Sequence, residues 1–240
     1  MKIIDAVWEK RNLGVTCTEF NTEPKDTPDI LRIELANSEQ EYNVLKIPAG
    51  RTELLVAAQS LGYLFIEVSV NVTHDLRKFD LTSIQKRLIE SVSYSLMDNG
   101  DINQLYKEIS KGIFNTDRIY NDSHFTKEQA TNRYIGWISD ELNRGSEAYK
   151  LEYGNNTVGF FTFKETDKSV YYPFLAGIYS EYSKSGLGIN TISKPIAEAT
   201  ERNGKMITSY ISTNNQKTLN LHKMMNFVFN DYTYVFIKHL

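Results

Sequence analysis

The apolar residues of this chain recur at two spacings, and each spacing predicts a different kind of element. Alternation with a period of two is typical of a strand, whereas apolar residues three and four positions apart are typical of a helix. In the first half, these periods predict strands at residues 14–20, 30–35 and 63–72, a helix at 53–61, and a mostly helical stretch at 82–111. Strands that enclose a helix indicate a small α/β unit.

The second half contains the same mixture with clearer end signals. Thr126 followed by Gln129 is the signature of a capping box, so we predict a helix from there to about residue 143. The later elements come in this order: strands at 148–153, 157–164 and 169–179, a glycine-containing turn, a helix bent at Pro195, a strand at 206–212, a helix at 216–225, and strands at 227–229 and 232–238. The pattern predicts a mixed α/β fold, which we divide into an N-terminal half at 1–110 and a second half at 111–240.

Composition excludes several classes of protein. The net charge of −3 argues against generic nucleic-acid binding, and no apolar run approaches the about 20 residues of a membrane span. The N-terminus meets charge too soon for a secretory signal, and the single cysteine, Cys17, fits a reducing compartment. We therefore expect a cytoplasmic protein without membrane or nucleic-acid partners. The four histidines are scattered and no Cys/His cluster is visible, so we expect no metal site.

The turn after the strand at 169–179 is the best candidate for a binding site. Its residues are Ser183, Lys184, Ser185, Gly186, Leu187 and Gly188, and a helical pattern follows at once. Backbone N–H groups at a helix N-terminus favour anions, and glycines let the backbone approach a phosphate closely. A plain turn is the alternative for a Gly-x-Gly without further context.

Three motifs in order carry a resemblance to a known family. The loop at 183–188 matches an R/Q-x-x-G-x-G/A pattern, and the preceding residues 178–182 match V-x-P-E-Y. Asn215 and the following residues to Phe227 match an Asn-led segment that ends in A…L-Y-x-x-x-G-F. Residues 113–240 thereby resemble the GCN5-related N-acetyltransferases (GNAT). The resemblance implies the GNAT fold, a mostly antiparallel mixed sheet flanked by helices, here with an additional α/β half in front.

The resemblance also implies acetyl-CoA as the cosubstrate and assigns roles to particular residues. The amides of residues 183–188 would bind the pyrophosphate, the strand edge at 175–178 would bind the pantetheine arm, and the amide of Ile178 or Tyr179 would stabilise the oxyanion. Asn215 would orient pantetheine. His222 stands where the family often has the Tyr that protonates the CoA thiolate, a role that an imidazolium can fill.

Departures from the family pattern leave alternatives open. Ser183 replaces an Arg or Gln, for which Lys184 could compensate, and Asn226 replaces a Gly. Asn215 also suits a helix N-cap, and His222 also suits simple packing. The candidate general bases are Glu67, Glu141, Glu152 and Glu181, and nothing in the sequence ranks them.

The first half looks like the TDP-fucosamine acetyltransferase type within the family. The resemblance lies at scattered positions that include Trp8, the segment 61–67, Asp122 and Trp137. It implies a small-molecule amine acceptor, such as a nucleotide-linked amino sugar, and it leaves a homodimer open. The alternatives are an amino-acid or peptide amine as acceptor, and a non-catalytic module that binds or senses acyl-CoA.

Overall fold

A single large sheet organises the computed structural model, which describes residues 1–78 and 80–240. Its strands in that part of the chain are β1 (Lys2–Asp5), β2 (Cys17–Asn21), β3 (Tyr42–Pro48), β4 (Leu64–His74), β5 (Val92–Leu96), β6 (Glu147–Tyr153), β7 (Asn156–Asp167), β8 (Val170–Tyr172), β9 (Ala176–Ile178), β10 (Met206–Ser212) and β11 (Val228–His239).

Helices connect these strands and flank the sheet. They are α1 (Val7–Leu13), α2 (Pro28–Ala36), α3 (Thr52–Ser60), α4 (Ser83–Glu90), α5 (Asn99–Ser110), α6 (Arg118–Asn121), α7 (Lys127–Asn143), α8 (Asn190–Glu201) and α9 (Gln216–Met224). Two short 3₁₀ turns, Ser180–Tyr182 and Leu187–Ile189, lie between β9 and α8.

The strand order is β1-β2-β3-β11-β4-β10-β8-β7-β6-β5, with β9 paired to β7. Most neighbours are antiparallel; β2 with β3 and β10 with β8 are parallel. The mixed α/β architecture and the mostly antiparallel sheet confirm the predicted fold class. Strand β4 from the first half lies between β10 and β11 from the second, so the sheet runs without interruption across the predicted division at residue 110, which remains a prediction.

The strand predicted at residues 30–35 is wrong, because this segment belongs to helix α2. Thr27 begins the helix by accepting a hydrogen bond from the Ile30 amide at 3.3 Å, and Pro28 occupies its first turn. Leu31 and Leu35 are four residues apart and buried on one face. The apolar residues therefore fit both periods, and the start signals at 27 and 28 decide in favour of a helix.

Other predicted elements differ in their limits. The stretch at 82–111 contains α4 and α5, but β5 separates them and pairs with β6. The strand predicted at 169–179 is two strands, β8 and β9, separated by residues 173–175, which include Pro173. The final two predicted strands form one strand, β11, with an irregularity between Phe229 and Tyr232. Strands β1 and β3 and helices α1 and α6 have no counterpart in the prediction.

The elements that build the site follow the prediction closely. Helix α7 ends at Asn143 and carries the capping box of Thr126 and Gln129, β10 has the predicted bounds, and Pro195 lies inside α8. Asn226 adopts a φ of 58°, the left-handed conformation expected of a glycine substitute. Phenylalanines of β7 and residues of β4, α8 and α9 form the core beneath the site.

Candidate active site

An opening in the sheet separates β9 from β10. Strands β8 and β10 pair in parallel only at two positions, Val170 with Met206 and Tyr171 with Ile207. Beyond them the chain of β9 pairs with β7 alone, and β10 pairs on its other side with β4. The two strands therefore diverge, and one edge of β9 faces the gap.

Hydrogen bonds show which amides of β9 face the gap. Thr162 N donates to Leu175 O at 2.8 Å, and Tyr179 N donates to Val158 O at 2.9 Å, so odd-numbered residues bond to β7. Because bonding alternates along an antiparallel pair, the amides of Ala176 and Ile178 point the other way. The Tyr179 amide is thus hydrogen-bonded to Val158. Of the two predicted oxyanion donors, only the Ile178 amide points away from β7 and could bind a ligand.

The predicted phosphate loop follows β9 along the chain after the turn Ser180–Tyr182 and leads into α8 through the turn Leu187–Ile189. Gly186 has a φ of 79°, which a residue with a β-carbon adopts only at a cost. The amides of Ser183, Ser185 and Leu187 bond within the loop, whereas those of Lys184 and Gly186 donate no hydrogen bond among the described residues. Lys184 is exposed and Leu187 is buried. Part of the predicted cradle therefore holds the loop together rather than facing a ligand.

A cavity of about 710 Å³ lies between Leu175, Ala176 and β10 and continues toward the N-terminal half, and neither Ile178 nor residues 183–188 line it. Helices α8 and α9 line one end with Thr191, Ile192, Pro195, Asn215, Thr218 and His222. At the other end, groups from β2, β4, α6 and α7 line it, among them Glu19, Glu67, Arg118, Arg133, Tyr134 and Trp137. Both predicted halves of the chain thus form the same cavity.

Asn215 is the N-cap of α9 and also lines the cavity. Its side-chain oxygen accepts a hydrogen bond from the Thr218 amide at 3.2 Å, which caps α9. The side-chain oxygen is therefore occupied, and the side-chain NH₂ is the group of Asn215 that a ligand could use.

His222 lines the same cavity, but its imidazole lacks the second proton that donation to the CoA thiolate would require. Its Nδ1 lies 2.8 Å from the carbonyl oxygen of Thr218, so Nδ1 carries the proton and donates it there. The ring is 7% exposed, and this burial lowers the pKa of His222 to about 4, against a smaller opposing effect of the Thr218 bond. At neutral pH the imidazole is therefore neutral and its Nε2 is an acceptor, a form that does not suit proton donation to the thiolate.

Of the four candidate bases, Glu67 is the one that is buried and lines the cavity. Glu67 is 8% exposed, lines the cavity, and its Oε2 has no hydrogen-bond partner within the described chain. Burial raises the pKa of its carboxyl group, and a hydrogen bond with Ser212 and the charge of Arg118 oppose this only in part. Glu141, by contrast, is paired with Lys164 and Arg144, Glu152 accepts from Ser95, and Glu181 is exposed.

Arg118 lines the cavity, and sequence analysis assigned it no role. It starts α6, contacts Glu19 at 2.9 Å and Glu9 at 3.5 Å, and leaves its Nε without a partner in the described residues. Arg133 of α7 bonds Glu9 at 2.7 Å. These partners are about a hundred residues apart in sequence, so no local pattern could indicate them.

The comparisons with known proteins identify the fold. A conserved protein of unknown function from Staphylococcus epidermidis aligns over 93% of this chain and 84% of its own, with 13% identity and a TM-score of 0.63. A GCN5-related N-acetyltransferase from Sphaerobacter thermophilus aligns over 82% of this chain and 59% of its own, with 12% identity and a TM-score of 0.61. A tandem GNAT protein from the clavulanic acid biosynthesis pathway aligns over 88% and 68%, with 11% identity and a TM-score of 0.53.

The solved structures that resemble this chain are mostly GCN5-related N-acetyltransferases, so the chain has the GNAT fold. The narrower likeness to the TDP-fucosamine acetyltransferase type rests on the sequence positions alone. No profile of a known protein family and no curated protein matches the sequence. Among the described residues, no helix is long and apolar enough to cross a membrane.

Proposed function

We propose that this protein transfers the acetyl group of acetyl-CoA directly to a primary amine. The observation that carries the proposal is the gap between β9 and β10, because one side of it offers unpaired main chain and the chain continues from β9 into the predicted phosphate loop. An extended thioester arm could add to β9 as a strand while its pyrophosphate lies at the loop.

The residues present fit acetyl-CoA as cosubstrate. The amides of Lys184 and Gly186 and the N-terminus of α8 would receive the pyrophosphate, and the main chain of Ala176 and Ile178 would bond the pantetheine arm. The side-chain NH₂ of Asn215 would donate a hydrogen bond to a carbonyl oxygen of pantetheine. The Ile178 amide would then point to the thioester oxygen, where negative charge develops during transfer.

Glu67 is the general base of this proposal. Its carboxylate accepts one proton from the acceptor ammonium, and the neutral amine attacks the thioester carbon. The C–N bond forms, the C–S bond breaks, and the second nitrogen proton passes to the departing thiolate. A carboxylate with a raised pKa holds a proton better than an ordinary one, which suits this role. Bringing both reactants into one cavity supplies much of the remaining acceleration.

For the acceptor, we infer an amine on a hydroxylated ring such as an amino sugar. Hydroxyl and amide side chains are frequent in the cavity wall beside Glu67, and they include Asn21, Thr22, Ser69, Thr116, Ser209 and Ser212. Phe114, Tyr134 and Trp137 add aromatic surface for the apolar face of a ring. The nucleotide part of such an acceptor is supported only by the sequence resemblance.

An amino-acid acceptor fits the charges less well. Its carboxylate would need a cation, but Arg133 is bonded to Glu9, Lys46 to Glu19, and Arg118 to both acids. A carboxylate would compete with these pairs, whereas a hydroxyl oxygen can accept from the unpartnered Arg118 Nε without breaking one.

Release of free thiol from acetyl-CoA tests the proposal. The purified chain is incubated with acetyl-CoA and, separately, with hexosamines, amino acids and short peptides, while CoA binding is measured by calorimetry. We expect thiol release with amino sugars above all. CoA binding without release for any amine would support a sensing module instead, and absence of CoA binding would contradict the proposal altogether.

A further inference from the structure

A cluster of two histidines and one carboxylate lies outside the cavity that the proposed transfer uses. Asp122, His124 and His239 each offer a ligand atom, and these atoms lie within 4.8 Å of one another. His124 Nδ1 is 3.1 Å from Asp122 Oδ1, and His239 Nε2 is 2.7 Å from Asp122 Oδ2. None of the three lines the cavity.

We propose that Asp122, His124 and His239 bind one Zn²⁺ ion. Imidazole nitrogen and carboxylate oxygen are the usual zinc ligands beside thiolate, and three protein ligands with a water in the fourth position form a common zinc arrangement. Zn–N and Zn–O bonds of about 2.0–2.2 Å in a tetrahedron place ligand atoms about 3.3 Å apart. In the structure His124 Nδ1 and His239 Nε2 lie 3.1 and 2.7 Å from different oxygens of Asp122, so zinc would replace these two contacts and the ligand atoms would shift slightly to meet it.

The fold holds two of the three ligands in place. Asp122 ends α6, is 3% exposed, and its Oδ1 also accepts the His124 amide at 3.0 Å. His239 pairs in register with Tyr42 between β11 and β3, and the two rings stack at 4.9 Å. Main-chain pairing and packing therefore restrain the His239 imidazole before any ion arrives.

His124 supplies the movement that zinc requires. Its ring now stacks on His239 at 3.9 Å and 14°, whereas a bound zinc lies near the plane of each imidazole. The His124 side chain is 58% exposed, so it can turn toward the ion without disturbing the core. Zinc binds each imidazole through the lone pair of a ring nitrogen, so the N–H proton of each neutral ring would move to the nitrogen that does not bind the ion.

The ion would tie the end of the chain to α6. Arg118 begins this short helix and lines the acceptor end of the cavity, and Asp122 closes it four residues later. Zinc at Asp122 and His239 would therefore connect β11 to α6 and hold Arg118 in position. Its expected effect is structural, and the binding itself does not depend on acetyl transfer.

Calorimetry with an untagged, chelator-stripped and desalted chain tests the site, with ZnCl₂ as titrant and MgCl₂ as the comparison ion. We expect one equivalent of zinc, a higher Tm on zinc addition, and visible absorption of tetrahedral type when Co²⁺ replaces zinc. His124→Ala and Asp122→Asn should each weaken zinc binding by about tenfold or more. His222→Phe removes a histidine elsewhere and should leave zinc binding unchanged.

Circular dichroism checks that each variant is folded. Should Asp122→Asn fail to fold, His124→Ala decides, because its largely exposed ring contributes little to the core. Absence of zinc binding by the natural sequence overturns the proposal, and so does equal affinity in folded His124→Ala. Both outcomes leave the proposed acetyl transfer untouched, since the titration contains no acetyl-CoA.

Discussion

In the proposed mechanism, the role of Glu67 as general base conflicts with the stability of the fold. A buried carboxylate without a hydrogen-bond partner on Oε2 is unfavourable for folding, which is the physical meaning of its raised pKa. The same isolation keeps the carboxylate basic toward an incoming ammonium. Buried groups with a shifted pKa are more frequent at functional sites than elsewhere.

Glu67→Gln should abolish most activity and raise stability. The amide keeps the shape but accepts no proton, so kcat/KM should fall by about 10²–10⁴-fold. Because the raised pKa means that the folded state prefers the neutral form, stability is lost as pH rises through that pKa, and the glutamine variant should have the higher Tm at neutral pH. Activity and thermal denaturation measure the two effects.

The pH profile provides the control for Glu67. In the natural sequence, kcat/KM should fall as pH is lowered through the raised pKa of Glu67, since the base must be ionised. The residual activity of the glutamine variant should lack this limb. An unchanged acidic limb in Glu67→Gln would assign the ionisation to another group.

Gly186→Ala should weaken CoA binding because the loop backbone at φ of 79° disfavours a β-carbon by about 1–2 kcal/mol. Calorimetry with CoA and with pantetheine, which lacks the pyrophosphate, separates a loop effect from a general one. Gly14→Ala is the matched control, since Gly14 has a φ of 83° and ends α1 with open space around it. Equal loss of CoA affinity in both variants would contradict a role of the loop in phosphate binding.

His222→Phe tests the predicted role of His222 as the acid that protonates the CoA thiolate. The substitution keeps an aromatic ring but removes the bond to Thr218, which contributes about 0.5–1.5 kcal/mol to stability. We expect kcat to change by less than about tenfold, because a general acid would account for about 10²–10⁴-fold. A loss of that larger size would restore His222 to the mechanism.

At the scale of elements, α7 links local sequence signals to the acceptor end of the cavity. Its capping box is formed in both directions, with Gln129 N to Thr126 Oγ1 at 3.1 Å and Thr126 N to Gln129 Oε1 at 2.9 Å. Gln129 also donates to Leu13 O at 2.6 Å, which joins α7 to the end of α1. Arg133, Tyr134 and Trp137 then follow on the cavity wall.

Thr126→Ala should lower the free energy of unfolding by about 1 kcal/mol, since it removes the cap of a helix that packs into the core. Thr82→Ala removes an equivalent capping box from α4, which has no fully buried residue and can fray alone. Urea denaturation of both variants should therefore show a smaller change for Thr82→Ala. An equal change would mean that α4 is as cooperative with the core as α7.

The elements that sequence analysis located were those with their own start and stop signals. The capping box of α7 and the alternation of β10 depend on residues close together in sequence. The predicted end of α7 and both predicted bounds of β10 agree with the structure. Strand β5 was missed because its residues Val92–Leu96 form a strand only by pairing with β6, about 55 residues later. Propensity cannot report a partner so far along the chain.

At the scale of the whole molecule, the two halves share one sheet. Strand β4 lies between β10 and β11, and β5 extends the sheet beyond β6, so residues before 111 supply two strands among those of the second half. The division at residue 110 follows the sequence motifs, whereas the hydrogen bonds cross it.

A fragment of residues 111–240 should therefore show no cooperative unfolding transition, because β10 and β11 lose the strand between them. Residues 64–240 retain β4 and β5 and form the matched comparison, which we expect to keep a transition. Thermal denaturation followed by circular dichroism compares the two. Cooperative unfolding of 111–240 alone would make residue 110 a true domain boundary.

The chain's own pattern was enough for the mixed α/β class, the glycine turn at 183–188 and the segment led by Asn215, because each depends on residues close together in sequence. Only the tertiary structure placed Glu67 and Arg118 at one cavity, neutralised His222 by burial, and brought His239 to Asp122. Burial and charge pairing depend on groups that are distant along the chain. Local sequence signals therefore define the elements, whereas the chemistry of their side chains is decided by the environment that the folded sheet creates.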